Sequence, residues 1–391
     1  MAARQPLPIE GTYMLLGEQQ VASFVGQTGV TSFIHELAEE ISAVYREPGV
    51  SGMDRSHIAN VGGESGYATS EFMGCRADDY VVLKRIASDP DRAKENLPTV
   101  WGEMFCMETS EGSMRLMCGA SFVTMMRTAT TAALAVSRLQ PNPETLSVVG
   151  AGFQGMTSAL AVATMSPGLR TVLLRDIDAS AANHKAKELQ EIFRNQLGVE
   201  RASGIRVEAV PADGDRLELE SDVIVTATFG LPDRPPALSS SDLKPGVVIV
   251  ALGADMVGKR ELDPAIYEGA KFVSDELGQS LREGELQHAG KLLGASQDDV
   301  SRDRYGYVNF HGSLLGGRVI GLTELLEDTK HFSDRPEDIT VYDSTGFAGQ
   351  DLAAARVLLR LLKASDYPES LPFNGPPGIR GFADFAGFKR G

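Results

Sequence analysis

TLSVVGAGFQGMTSALAVATMSPGLRTVLLRDID, residues Thr145 to Asp178, decides the fold. A β-prone run, Thr145 to Val149, leads into Gly150, Gly152 and Gly155 in G-x-G-x-x-G spacing. An alanine- and leucine-rich helical segment follows, then a second apolar run, Val172 to Leu174, and the acid Asp176. Gly150 permits the tight turn out of the strand, Gly152 lets the backbone approach a pyrophosphate, and Gly155 lets the helix pack close on the sheet. The first helical N–H groups then face the phosphate charge. Asp176 lies about 20 residues on, where a carboxylate takes ribose hydroxyls. A glycine triplet alone also serves as a structural turn. Strand, triplet, helix, strand and acid in this order point to dinucleotide binding.

Outward from this unit the pattern alternates. Ala179 to Phe193 reads as a helix, Ile205 to Val210 as a strand, and Asp222 to Ala227 and Val247 to Leu252 as apolar runs suited to parallel strands buried on both faces. With the short strand Lys271 to Ser274, this is a doubly wound α/β domain over roughly 130 to 320. Before it, Thr12 to Leu16 reads as a strand, and Glu18 to Val25 and Ser32 to Tyr45 as helices, the second with Ser32 as N-cap. Val50 to Met73 reads as a long glycine-rich loop. Tyr80 to Ile86, Thr99 to Met107 and Ser113 to Cys118 suggest an antiparallel sheet, and Phe122 to Leu139 a helix ending at Pro141. Ile339 to Tyr342 reads as a further strand and Asp351 to Lys363 as a helix. Residues 1–11 read as a loose arm, and Leu371 to Gly391, rich in Gly, Pro and Phe, as a draped or disordered tail.

The 391 residues suffice for two domains. A formal charge of −16 argues against nucleic acid or an anionic membrane as the main partner. Cys75, Cys106 and Cys118 form no C-x-x-C pair, which fits a reducing cytoplasm. No apolar run reaches membrane-spanning length, and the first residues lack the apolar core of a secretory signal. The six histidines show no metal-ligand spacing.

Three charged residues stand in apolar surroundings. Lys84 ends Tyr80-Val81-Val82-Leu83, where it either grips a carboxylate or extends its ammonium to the surface. Arg127, in Met125-Met126-Arg127-Thr128-Ala129, suits a bidentate contact to carboxylate or phosphate, or an ion pair between domains. Asp255 follows a central strand's carboxyl end, the crevice where α/β sheets bind ligands. There it serves as a general acid or base, or simply as a loop or capping aspartate. Arg55 and Glu71, taken alone, do not stand out from solvated charge.

Together these segments resemble the ornithine cyclodeaminase / mu-crystallin family. The resemblance runs from about Tyr13 to Leu362. It rests on Met126-Arg127-Thr128-Ala129, the GAGFQG loop, Gly253-Ala254-Asp255 with Gly258-Lys259, and Asp338 to Gly346 leading into Gln350-Asp351. It implies homodimers with a Rossmann domain, here 127–324, and a discontinuous α+β substrate-binding and dimerisation domain, here 1–126 with 325–391. It implies NAD rather than NADP, consistent with an acid at 176 that repels a 2′-phosphate. By position, Arg55, Lys84 and Arg127 match substrate-carboxylate binders, Glu71 the glutamate facing a distal amine, Asp255 the catalytic aspartate, and Thr345 a pocket-lining residue. Thr99, Arg127, Phe153, Gln154, Asp176, Thr226, Thr228, Lys259 and Ser344, with the turn at Gly253, match cofactor-contacting positions. The implied reaction converts an ornithine- or lysine-like amino acid to a cyclic imino acid with loss of ammonia. The alternative on the same scaffold is a net amino-acid or opine-like dehydrogenase or a ketimine reductase. Four departures bear on the substrate: residues 46–70 are long and glycine-rich, Arg85 to Asn96 is highly charged, the turn reads Gly-Ala-Asp where ornithine enzymes have Gly-Gly-Asp, and the C-terminal tail is extra.

Overall fold

The computed structural model describes residues 14–53, 55–59, 68–95, 97–110, 112–212, 216–231, 234–241, 243–292, 300–302, 308–310, 318–327 and 337–365. The expected arm at 1–11 and tail at 371–391 lie outside them, as does the start of the strand expected from Thr12.

The described residues begin with β1 (Met14–Leu16), α1 (Glu18–Thr28) and α2 (Val30–Arg46). Val30, Phe33, Ile34, Leu37, Ile41 and Val44 form the buried stripe of α2. Ser32 is not its cap: the helix starts two residues earlier, behind Gly29, whose φ of 100° suits a residue without Cβ. Five strands follow the short β2 (Ser51–Gly52): β3 (Ser56–Ala59), β4 (Thr69–Arg76), β5 (Tyr80–Ser88), β6 (Val100–Glu108) and β7 (Met114–Gly119). They form a seven-stranded sheet in the order β1-β7-β6-β5-β4-β2, with β3 also on β4. All its pairings are antiparallel except β1 with β7.

The stretch Val50 to Met73, expected as one loop, therefore contains β2, β3 and the first half of β4. The reason is chemical. The inward positions of β4 include Thr69 and Glu71, so the apolar alternation that marks a half-buried strand is absent there.

Helix α3 (Ser121–Leu139) leads out of this sheet. Its own N-cap, Ala120, has no capping side chain. The buried Glu18 carboxylate supplies the cap from α1, accepting from Ser121 N (2.6 Å) and Phe122 N (3.0 Å).

The second layer set comprises β8 (Thr145–Val149), α4 (Phe153–Met165), β9 (Thr171–Arg175), α5 (Ala179–Gln196), α6 (Val199–Ser203), β10 (Arg206–Ala209), α7 (Arg216–Glu220), β11 (Val223–Thr226) and β12 (Val248–Ala251). Then come α8 (Pro264–Gly269), β13 (Lys271–Ser274), α9 (Leu277–Glu283), α10 (Leu286–Leu292), the hairpin β14 (Val300–Arg302) and β15 (Val308–Phe310), β16 (Val319–Gly321), α11 (Leu322–Glu327), β17 (Thr340–Asp343) and α12 (Ala348–Ala364). The eight-stranded sheet runs β10-β9-β8-β11-β12-β17-β13-β16, every pairing parallel. Strand order reverses between β8 and β11, the switch point at which such sheets open a ligand crevice.

The expected domain boundary at 324/325 needs correction. β17 sits between β12 and β13 in the parallel sheet, because its fully buried TVYD run fits a central strand. Among the described residues after β17, α12 returns to the first sheet, packing on α2, β4 and β5. Cys75, Cys106 and Cys118 are buried free thiols. No described helix is long and apolar enough to cross a membrane.

Candidate functional site

The glycine turn has the geometry its spacing implies. Gly150 has φ 95°, and a Cβ there would meet the Ala227 carbonyl oxygen at 2.5 Å. A Cβ on Gly155 would meet the Gly150 carbonyl oxygen at 2.2 Å, so helix and strand touch through this residue. Gly152 differs: a Cβ there would meet nothing within 4 Å. It caps α4 without a side-chain bond, leaving the first helical N–H groups open to an anion. That open cradle fits a dinucleotide pyrophosphate.

Gly152 opens on a cavity of about 280 Å³ between the two sheets. One wall comes from the parallel sheet: Gly152, Phe153 and Gln154 after β8, Thr228 after β11, Gly253, Asp255 and Lys259 after β12, and Ser344 and Thr345 after β17. The other comes from the N-terminal half: Arg55, Glu71, Thr99 and, from α3, Arg127. The register Glu71↔Ile86 and Met73↔Lys84 sets these four side chains on one face of the sheet, and Glu71, Met73 and Ile86 line the cavity.

Asp255 is 40% exposed, and its Oδ1 lies 2.7 Å from Lys259 Nζ. Burial disfavours the Lys259 charge, but Asp255, Glu71 and Glu261 outweigh it and hold its pKa above the ordinary lysine value. Arg55 is buried and works as a staple between the halves. Its guanidinium donates to the carbonyls of Asp255 (3.3 Å), Gly346 (2.8 Å) and Thr345, and lies 3.5 Å from both Glu71 and Glu283. Burial works against its charge, and Glu71 and Glu283 reverse that effect. Arg127 donates from Nη1 to Gln350 Oε1 (2.8 Å), and its Nε lies 3.4 Å from Asp351. Gly346, at φ 87°, packs on its guanidinium, where a Cβ would lie 2.5 Å from Nη1.

Five expected residues do not line the cavity. Lys84 shares the face but lies one layer behind, with Nζ 2.8 Å from Asp351 Oδ1. Burial and the nearby Arg127 push its pKa down to about 7, against the pull of Asp351. Thr226 is fully buried and donates to Glu261 Oε2 at 2.7 Å. Gly150 and Gly155 shape the turn. Asp176 accepts from Ala151 N (2.8 Å) and Asp178 N (3.1 Å), at the base of the glycine loop. Its neighbour Arg175 is turned away and donates to the Ala237 carbonyl at 3.0 Å.

Three buried acids around the site escaped sequence reasoning. Asp275 accepts from Ser344 Oγ, Thr345 N and Gly346 N, fixing the loop after β17. Asp351 holds Lys84 and Arg127, and Glu261 holds the loops after β11 and β12. Asp351 carried a signal, an acid at the start of an otherwise apolar helix. Glu261, within Lys259-Arg260-Glu261-Leu262-Asp263, carried none.

Comparisons with known proteins agree with this architecture. The L-lysine cyclodeaminase of Streptomyces rapamycinicus is 27% identical over 354 residues, 88% of this chain and 91% of that protein. The iminosuccinate reductase of Paracoccus denitrificans is 29% identical over 275 residues, 70% of this chain and 74% of that protein. A solved lysine cyclodeaminase, described in terms of L-lysine, L-ornithine and L-2,4-diaminobutyric acid recognition, superposes with TM-score 0.71 at 27% identity, covering 90% of this chain and 93% of that one. The Paracoccus denitrificans iminosuccinate reductase, solved in complex with NAD⁺, gives TM-score 0.67 at 26% identity over 90% of this chain and 97% of its own. The model of the Ornithine cyclodeaminase/mu-crystallin family matches residues 28–365, and the chain therefore belongs to that family.

Proposed function

We propose that the protein is an NAD-dependent cyclodeaminase of a basic L-amino acid, ornithine- or lysine-like. One observation carries this reading: a single cavity joins the open glycine cradle at Gly152 to Arg55, Glu71, Arg127 and Asp255. Bound NAD supplies the hydride acceptor and donor. The chain's own residues supply the rest. Arg127 and Arg55 orient the substrate carboxylate; the Nε of each is buried without a hydrogen-bond partner among the described residues. Asp255, at the mouth of the β12 loop, moves a proton on the reacting nitrogen. Glu71 attracts a distal ammonium. Asp176 disfavours a 2′-phosphate, so NAD is preferred to NADP.

The α+β half, residues up to about 126 with α12, is proposed to dimerise through its outer sheet face. Phe72 and Leu83 stand there 43% and 38% exposed, on one face by the registers Phe72↔Arg85 and Gly74↔Leu83. A cytoplasmic setting fits the three buried free thiols.

A second reading, a net NAD-dependent oxidoreductase, is favoured by one contact. Glu71 already lies 3.5 Å from Arg55, so it has a cationic partner without a substrate amine. The two are separated by incubating protein, NAD⁺ and a panel of L-amino acids while following ammonia and 340 nm absorbance together. Ammonia without net absorbance change supports the cyclodeaminase; stoichiometric reduced dinucleotide supports the oxidoreductase.

A further inference from the structure

Glu261 follows the turn after β12 and is fully buried. It does not line the cavity, yet it touches the residues that do. Its Oε1 accepts from Thr228 N (2.6 Å) and Thr228 Oγ1 (2.8 Å). Its Oε2 accepts from Gly253 N (2.7 Å) and Thr226 Oγ1 (2.7 Å). Each carboxylate oxygen thus serves one main-chain N–H and one hydroxyl. The two N–H groups belong to different loops, one after β11 and one after β12.

The surroundings are built to admit this carboxylate. A Cβ on Gly253 would lie 2.6 Å from the Glu261 carboxyl carbon and 2.1 Å from the Thr228 carbonyl oxygen. A Cβ on Gly230 would lie 3.3 Å from Glu261 Cγ, and Gly230 has φ 56°. Glu261 is itself held from behind. Its N–H donates to Glu285 Oε1 (2.7 Å), and the Glu285 N–H donates to Asp343 Oδ1 (2.9 Å) at the end of β17. Tyr267 OH closes on the other Glu285 oxygen (2.5 Å). Buried acids thus run in series from the β17 end to the cavity loops, Asp343 accepting the main-chain N–H of Glu285 and Glu285 that of Glu261.

We infer that Glu261 is a positioning residue: it locks the β11 and β12 loops to each other, and so fixes Thr228, Gly253 and the following Asp255 in the geometry that receives the dinucleotide. This rests on the reading that the cavity binds a dinucleotide. A carboxylate is the group the site requires, because all four partners present hydrogens. An amide of the same shape fails in either orientation. Its NH₂ would face Gly253 N–H or Thr228 N–H, neither of which can rotate to become an acceptor.

The test is NADH binding, followed by the fluorescence of bound NADH, on wild type, Glu261→Gln and Thr226→Val, with each variant's melting temperature measured in parallel. Wild type is expected to bind. Glu261→Gln, assayed well below its melting point, should bind about tenfold more weakly, and Thr226→Val, which removes one hydroxyl donor and leaves both N–H bonds, about threefold more weakly. A role confined to stability would lower the melting temperature and leave the affinity of the folded protein unchanged. Affinities within twofold of wild type in both variants would overturn the inference alone. If Glu261→Gln does not fold, Thr226→Val decides by the same criterion. Absence of NADH binding by wild type would overturn the inference together with the dinucleotide reading beneath it.

Discussion

The Lys84 ammonium lies 2.8 Å from the Asp351 carboxylate, 267 residues further along the chain, and both side chains are almost completely buried. The contact ties β5 to α12 behind the cavity wall. Arg127 Nε, 3.4 Å from the same Asp351 oxygen, makes one acid the counter-charge of two cations. Asp351→Asn would leave both cations uncompensated in a dry site. The expected cost is about 3–5 kcal/mol of folding stability, read from urea unfolding. A loss below 1 kcal/mol would show that water or another acid takes over the charge.

Lys84, with its pKa lowered to about 7, loses its proton near neutrality. Its charge sits behind the wall and shares Asp351 with Arg127, so its loss weakens the positive field at the substrate carboxylate and kcat/KM should fall as pH rises through about 7. Lys84→Arg keeps a permanent charge, so that limb should vanish from its pH profile even if activity is lower. An unchanged limb in Lys84→Arg would assign the ionisation to another group.

Two glycines of the same loop should respond in opposite ways. Gly152→Ala places its methyl in open space, so the melting temperature should hold while NADH affinity drops about tenfold or more, the methyl occupying the phosphate cradle. Gly155→Ala drives a methyl to 2.2 Å from the Gly150 carbonyl oxygen, so stability should fall by about 1–3 kcal/mol. Melting curves and NADH titrations on both variants check the pair.

Glu285 gives a stability prediction with a definite sign. Burial raises its pKa from 4.5 to about 8. Its contribution to folding is therefore full below the unfolded value and is lost as pH climbs through 8, with a limiting slope of about 1.4 kcal/mol per pH unit for one proton. Glu285→Gln cannot ionise. Relative to wild type, it should gain stability between about pH 5 and pH 8 and level off above that in paired unfolding experiments. A pH-independent difference would refute the shift.

Much of this architecture is legible in the residues. The Gly150–Gly155 spacing and the apolar runs that became β11 and β12 are local signals, and the crevice position of Asp255 follows from strand order. The hidden parts are relations between distant residues. β4 is obscured because Thr69 and Glu71 occupy buried positions where apolar residues would mark the alternation. β17 reads as a strand from its composition, but nothing local places it between β12 and β13. Lys84 was marked by its apolar run, while its partner Asp351 is set by the packing of α12 on β5. Glu261 looks like an ordinary charge in a polar turn, and its role exists only once two loops converge on it. Thr226 was expected at the cofactor and instead serves Glu261, because a strand-end hydroxyl pointing into the core needs an acceptor there.

The cyclodeaminase reading is tested most directly with L-ornithine and L-lysine carrying deuterium at Cα, incubated with the protein and NAD⁺. A cyclodeaminase returns what it removes. The expected result is a cyclic imino acid that retains deuterium at its α-carbon, ammonia released in equal amount, and no accumulation of reduced dinucleotide. Deuterium gathered in reduced dinucleotide, with a 2-oxo acid or open imine product, would contradict it.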